Sequence, residues 1–251
     1  RDTIPGTAIG RCIAFADKLD TLVGIFSIGA APTGDKDPFA LRRAALGCIR
    51  IVIESGAGLD LNEALDLACQ GYSDVIDTSN VSEPVIKFII DRMRGYFSEK
   101  GIDTSTIDAV LAVGTPNPTD IQARIEAVVA FQQLPESSAL AGANKRIANI
   151  LRKNDAKTAA SIDPKLLEAD AEVQLVASLD SITQSINDSL DERNYSAFLT
   201  VLSELHDPIN LFFDDVMVMC DDIAVRDNRM AILSHIHGLF SVVADIARLN
   251  D

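Results

Sequence analysis

The side chains able to do acid–base or metal chemistry are few and scattered. The three histidines are His206, His235 and His237. His235 and His237 stand two apart, which on a helix turns them to different sides. His206 adjoins Asp207 just ahead of Pro208, where an aspartate reads as a helix N-cap. Asp17 and Asp20, three apart, share one helix face but supply only oxygen ligands, whereas a hydrolytic metal centre generally adds histidines. No metal site is expected. Cys12, Cys48, Cys69 and Cys220 are far apart, without CxxC spacing. Each lies in an apolar, helix-patterned segment, so reduced and buried thiols are expected. There is no Gly-x-Ser-x-Gly elbow. The loop Pro32-Thr-Gly-Asp-Lys-Asp37 precedes a helix N-terminus that could hold an anion, but its own aspartates oppose one, and it reads as a structural turn. No catalytic residue is assigned.

One segment stands out by charge. Asn144-Lys-Arg-Ile-Ala-Asn-Ile-Leu-Arg-Lys153 is a predicted helix with Ile147, Ile150 and Leu151 as its apolar stripe. Lys145, Arg146, Asn149, Arg152 and Lys153 fall at steps of three and four on another face. Arginine offers planar donor forks to phosphate, and asparagine a paired donor and acceptor to a base edge. A solvated helix face bridged to acidic residues elsewhere fits the same pattern, and charge alone leaves the two readings level. Arg124 and Phe131, on the preceding helix, are expected to support this surface, Phe131 as part of the core.

The elements that must position these residues are helices. The chain has 251 residues, 47% of them apolar, which excludes intrinsic disorder and small disulfide scaffolds. No run approaches the roughly 20 apolar residues of a membrane-crossing helix, and the chain opens at Arg1 without a signal-peptide layout. A soluble, cytoplasmic portion of something longer is expected. Net charge is −15, which argues against nonspecific nucleic-acid binding and against DNA. Residues 158–251 carry 17 acidic and 5 basic side chains, so an anionic partner must be met by a local basic patch.

Apolar spacing of three and four predicts helices over 7–28, 38–54 (Asp37 as N-cap, Pro38 at the first position), 61–70, 85–100, 104–113 and 119–134. Further helices are predicted over 137–152, 164–190, 195–206, 208–222 and 226–249, and almost nothing alternates with period two. The fold class is all-α. The apolar period fades over Gly71–Asn80, the best candidate division, and Asn154–Ile162 reads as a polar linker.

Several motifs in order resemble the bacterial glycyl-tRNA synthetase β subunit. They are Ala16-Asp-Lys-Leu-Asp-Thr-Leu-Val-Gly-Ile-Phe26, Pro32-Thr-Gly-Asp-Lys-Asp-Pro-Phe-Ala-Leu-Arg-Arg43, Ala143-Asn-Lys-Arg-Ile-Ala-Asn-Ile-Leu151, Phe212-Phe-Asp-Asp-Val-Met-Val-Met219, and Asn228-Arg-Met-Ala with Ala244-Asp-Ile246. The resemblance implies the C-terminal portion of that subunit: residues 1–78 as the end of an HD-like helical domain and 79–251 as a DALR-type anticodon-binding helical bundle. Asp17 matches the last metal-ligand aspartate of HD hydrolases, in a domain regarded as degenerate and noncatalytic in this family. The implied function is to grip glycine tRNA, reading its anticodon and backbone, with Lys145, Arg146, Asn149, Arg152 and Lys153 as tRNA-binding residues. Glycine adenylation and transfer, with ATP and Mg, would belong to a separate α subunit in an α2β2-type heterotetramer. No cofactor is expected in this portion, and no membrane partner. An HD-type metal-dependent phosphohydrolase and a noncatalytic scaffold docking the α subunit are the alternatives.

Overall fold

A computed structural model describes residues 3–72, 74–154 and 161–250. Among them are eleven α-helices and no strand beyond an isolated bridge between Thr33 and Lys36. The chain forms two compact units, one of residues 1–107 with 114–122, the other of residues 108–113 with 123–251.

The first unit is built from α1 (Ala8–Ser27), α2 (Leu41–Ser55), α3 (Leu61–Gln70) and α4 (Ser82–Ser98). Thr7 caps α1 by accepting the Gly10 N–H at 3.1 Å, and Asp60 caps α3 by accepting from Asn62 at 2.7 Å. The second helix starts three residues later than Pro38 predicts. Ala40 takes a left-handed φ of 55°, and the Asp37 carboxylate reaches past it to accept from the N–H groups of Leu41 (2.8 Å) and Arg42 (3.0 Å). The Arg42 guanidinium bonds the Gly34 carbonyl and closes the turn. Asp37 therefore occupies the helix end that an anion would have taken. α1 packs on α2, α3 and α4, and α4 also on α2 and α3. Leu22, Leu41, Ile49, Leu65, Ile89, Met93 and Phe97 fill the space between them. Residues 71–81, of which 73 lies outside the described residues, join α3 to α4. Gly24 leaves the room that Tyr72 uses: a Cβ there would sit 2.6 Å from the Tyr72 hydroxyl, which donates to Asp20 at 2.9 Å.

The helices α5 (Thr104–Leu111) and α6 (Pro118–Phe131) are each divided between the units. The second unit continues through α7 (Ser137–Lys153), a 3-10 turn at Pro164–Leu166, α8 (Asp170–Asp191), α9 (Tyr195–Ser203), α10 (His206–Asp215), α11 (Ile223–Ser241) and a 3-10 turn at Ile246–Asn250. α8 packs on α9 and α10, and α7 on α11, α10 and the final turn. The predicted helix over 164–190 is broken at 167–169, because the Glu172 side chain turns back to accept the N–H groups of Glu168 (2.9 Å) and Ala169 (2.8 Å) and starts a fresh helix. Of the expected linker, residues 155–160 lie outside the described residues.

Three expectations are corrected by packing. Arg124 is a core residue, 9% exposed, donating to Tyr195 Oη at 3.0 Å and to the carbonyls of Val242 and Val243. Asp207 lies inside the first turn of α10 and is not its N-cap, since a proline is tolerated that early in a helix. Only Cys48 is buried; Cys12 is exposed, and Cys69 and Cys220 are half-buried.

Candidate nucleic-acid interface

α7 buries Leu140, Ala141, Asn144 and Ile147, with Ile150 and Leu151 half-buried beside them. That stripe leaves the predicted basic face outward: Arg146, Asn149, Arg152 and Lys153 are exposed and Lys145 is half-buried. Arg152 Nη2 donates to Asn149 Oδ1 at 3.0 Å, fixing the Asn149 amide. Arg152 and Lys153 sit in the last turn, where the helix dipole favours cations. The Arg146 guanidinium lies 4.1 Å from the Phe213 ring centroid. Stacking restrains it while leaving its edge donors to solvent, which suits a phosphate oxygen or a base edge.

Two partners of this helix escape a reading of the sequence. Asn144, the first residue of the motif, is 1% exposed, and its Oδ1 accepts from His237 Nδ1 at 3.1 Å. Burial pushes the His237 pKa down, against a smaller upward pull from Asp245, so the ring is neutral near neutral pH and Nδ1 carries the proton. Asn144 thus ties α7 to α11. Phe213 has no signal of its own, since it follows the fully buried Phe212 on a helix expected to be core.

The Asn228-Arg-Met motif is structural. Asn228 accepts the Asp163 N–H at 2.7 Å and donates to its carbonyl at 3.0 Å. Arg229 Nε meets Glu172 at 2.7 Å, Nη2 meets Glu168 at 3.3 Å, and Nη1 donates to the Met217 carbonyl at 3.0 Å. Two adjacent residues of α11 therefore hold the start of α8 and the segment before α11 in place.

Elsewhere, His206 Nδ1 pairs with Asp207 at 2.7 Å and its Nε2 contacts Asn210 at 3.0 Å. Asp17 and Asp20 are both exposed, and Asp20 is taken by Tyr72. Among the described residues no group of three or more His, Cys, Asp or Glu side chains is placed to hold a metal ion. No described helix is long and apolar enough to cross a membrane.

Residues 1–112 match the family model of the glycyl-tRNA synthetase beta subunit, and residues 140–245 match that of the DALR anticodon binding domain. The chain is similar to the glycine--tRNA ligase beta subunit of Ralstonia nicotianae, 45% identical over 248 residues, which are 99% of this chain and 35% of that protein. The protein of the same name from Pseudomonas aeruginosa is 44% identical over 246 residues, 98% of this chain and 36% of that protein. That from Vibrio atlanticus is 43% identical over 248 residues, 99% of this chain and 36% of that protein. The chain spans about a third of the length of the curated relatives it matches. The basic face of α7, Phe213 and the Asn228–Arg229 pair all fall inside the second matched stretch.

Proposed function

We propose, on the premise that this chain belongs to the glycyl-tRNA synthetase beta-subunit family, that it is a tRNA-gripping portion of a glycine--tRNA ligase. The observation that carries the reading is the outward basic face of α7 within the stretch that matches an anticodon-binding domain. Single-stranded loops are read by stacking and by hydrogen bonds to base edges. Arg146, held over the Phe213 ring, and Asn149, bonded by Arg152, are the groups suited to that. Arg152, Lys153 and Lys145 supply charge for the phosphate backbone. A division into an HD-like part and an anticodon-binding part, with residues 1–78 and 79–251 as its sequence bounds, belongs to the same proposal, α4 being packed within the first compact unit.

Catalysis of adenylation and transfer, with ATP and Mg, falls in this reading to a separate α subunit in an α2β2-type heterotetramer working in the cytoplasm. The net charge of −15 opposes RNA outside local basic patches, so binding by this chain is modest and steeply salt-dependent. Fluorescence anisotropy of labelled glycine tRNA, beside a tRNA altered only in its anticodon, tests it. Preference for the unaltered tRNA is expected, with affinity falling about tenfold on Arg146→Ala or Arg152→Ala, and the salt slope by about 1 for each phosphate that loses its cation. Equal affinity for both tRNAs, or indifference to both substitutions, overturns the assignment.

A further inference from the structure

The Pro32–Arg43 motif ends in two arginines, of which Arg42 closes the turn on the Gly34 carbonyl and Arg43 stands exposed. Arg42 and Arg43 stand in the first turn of α2, a turn without acidic residues. The Asp37 carboxylate that caps this helix end offsets part of their charge. Across from them, α4 contributes Arg92, and the three arginines line a cavity of about 460 Å³ in the first unit. That is within the size range of small-ligand sites and much larger than a lone phosphate needs.

The walls suit more than charge. Arg92 Nε and the Tyr96 hydroxyl are buried and make no hydrogen bond among the described residues. Tyr96 is 7% exposed and Arg92 half-buried, so both residues bring a desolvated, unpartnered donor to the lining of the cavity. Asp91 and Glu99 also border the cavity, Asp91 already paired with Arg94 at 2.8 Å. Carboxylates beside arginines repel a bare anion but accept hydrogen bonds from sugar hydroxyls. Gly95 borders the cavity, and a Cβ built there meets nothing within 4 Å, so a larger side chain has room to project from that position.

We propose that this cavity binds a nucleotide-sized phosphate ester, with the phosphate on Arg43 and Arg92 and the ribose hydroxyls against the bordering carboxylates. The ester is either one nucleotide of an RNA strand or a free mononucleotide. The inference stands apart from the α7 reading, because it rests on the first unit alone.

The test uses the 251-residue chain with Arg43→Ala and Gly95→Leu, titrated with AMP and with labelled glycine tRNA. Arg43 is exposed, and leucine at Gly95 fills space while raising helix propensity, so both variants should melt no lower than the unsubstituted chain. Each should weaken binding by about tenfold or more, as expected when a charge-assisted hydrogen bond is removed or its space is filled. Weakening confined to tRNA, with a salt slope lower by about 1 in Arg43→Ala, identifies a strand nucleotide. Weakening on AMP identifies a free nucleotide. Unchanged affinity for both probes in both variants, or no binding of either probe by the unsubstituted chain, overturns the inference. The α7 variants run in parallel separate the two proposals, since only they should abolish discrimination between anticodons.

Discussion

Replacing Arg229 by methionine strands a buried carboxylate. Glu172 is fully buried and Arg229 is 6% exposed, and they meet at 2.7 Å. Breaking a buried pair from one side generally costs about 3–5 kcal/mol. Here Glu172 would keep the N–H groups of Glu168 and Ala169, which places the expected loss near the lower end, about 3 kcal/mol. Burial pulls the Glu172 pKa upward, but the Arg229 hydrogen bonds and the two N–H groups outweigh it and leave it below its ordinary value. A depressed carboxylate stabilises the fold above its unfolded pKa, and that contribution is lost as pH falls through the folded one. Without Arg229 the largest of the influences lowering it is gone, so the gap between the two proteins is full at neutral pH and narrows in acid. Urea denaturation followed by circular dichroism, at pH 7 and at pH 3.5, measures it. Adding Glu172→Gln to Arg229→Met should recover part of the loss. A deficit under about 1 kcal/mol at pH 7, or one that is equal at both pH values, would refute the reasoning.

Other outcomes follow from single contacts. Thiol titration should find Cys12 fast and Cys48 silent until unfolding, because burial pushes the Cys48 thiol up to about 12 while Cys12 is exposed; Cys12→Ser should remove the fast phase. Gly24→Ala should destabilise the unsubstituted chain by displacing Tyr72, yet stabilise a Tyr72→Ala background by up to about 1 kcal/mol, the helix-propensity gain of alanine over glycine. A same-sign effect in both backgrounds would deny the clash. His237, whose pKa is lowered first by burial, stabilises the fold above its ordinary pKa and ceases to as pH falls through the lowered value. Melting temperature should therefore drop across mildly acidic pH, and His237→Gln should flatten that drop.

How much could be read from the residues depended on how local the deciding force was. α3 was legible at both ends because Asp60 and Gly71 bracket it. α2 was misplaced at its start because Asp37 caps across a left-handed Ala40, a geometry no residue preference announces. The segment after α10 was expected to stay helical through Asp222. Instead Val216 and Val218 are buried while Met217 and Met219 point outward, an alternation too short to outweigh the helical spacing around it. At the candidate site, outward placement of Arg146, Asn149, Arg152 and Lys153 followed from three-and-four spacing alone. The roles of Asn144, Phe213 and Arg229 did not, because their partners lie 93, 67 and 57 positions away in the chain.

The Arg146–Phe213 stack also makes α10 a reporter for events on α7. A ligand that takes hold of the guanidinium in its stacked pose binds α7 and, through the ring, favours the docked state of α10 by the same free energy that docking returns to the ligand. Amide hydrogen exchange in His206–Asp215 should then slow on saturation, even where the ligand touches none of those residues. Phe213→Leu would uncouple the two, leaving the cation in place but its binding unheard on the neighbouring helix.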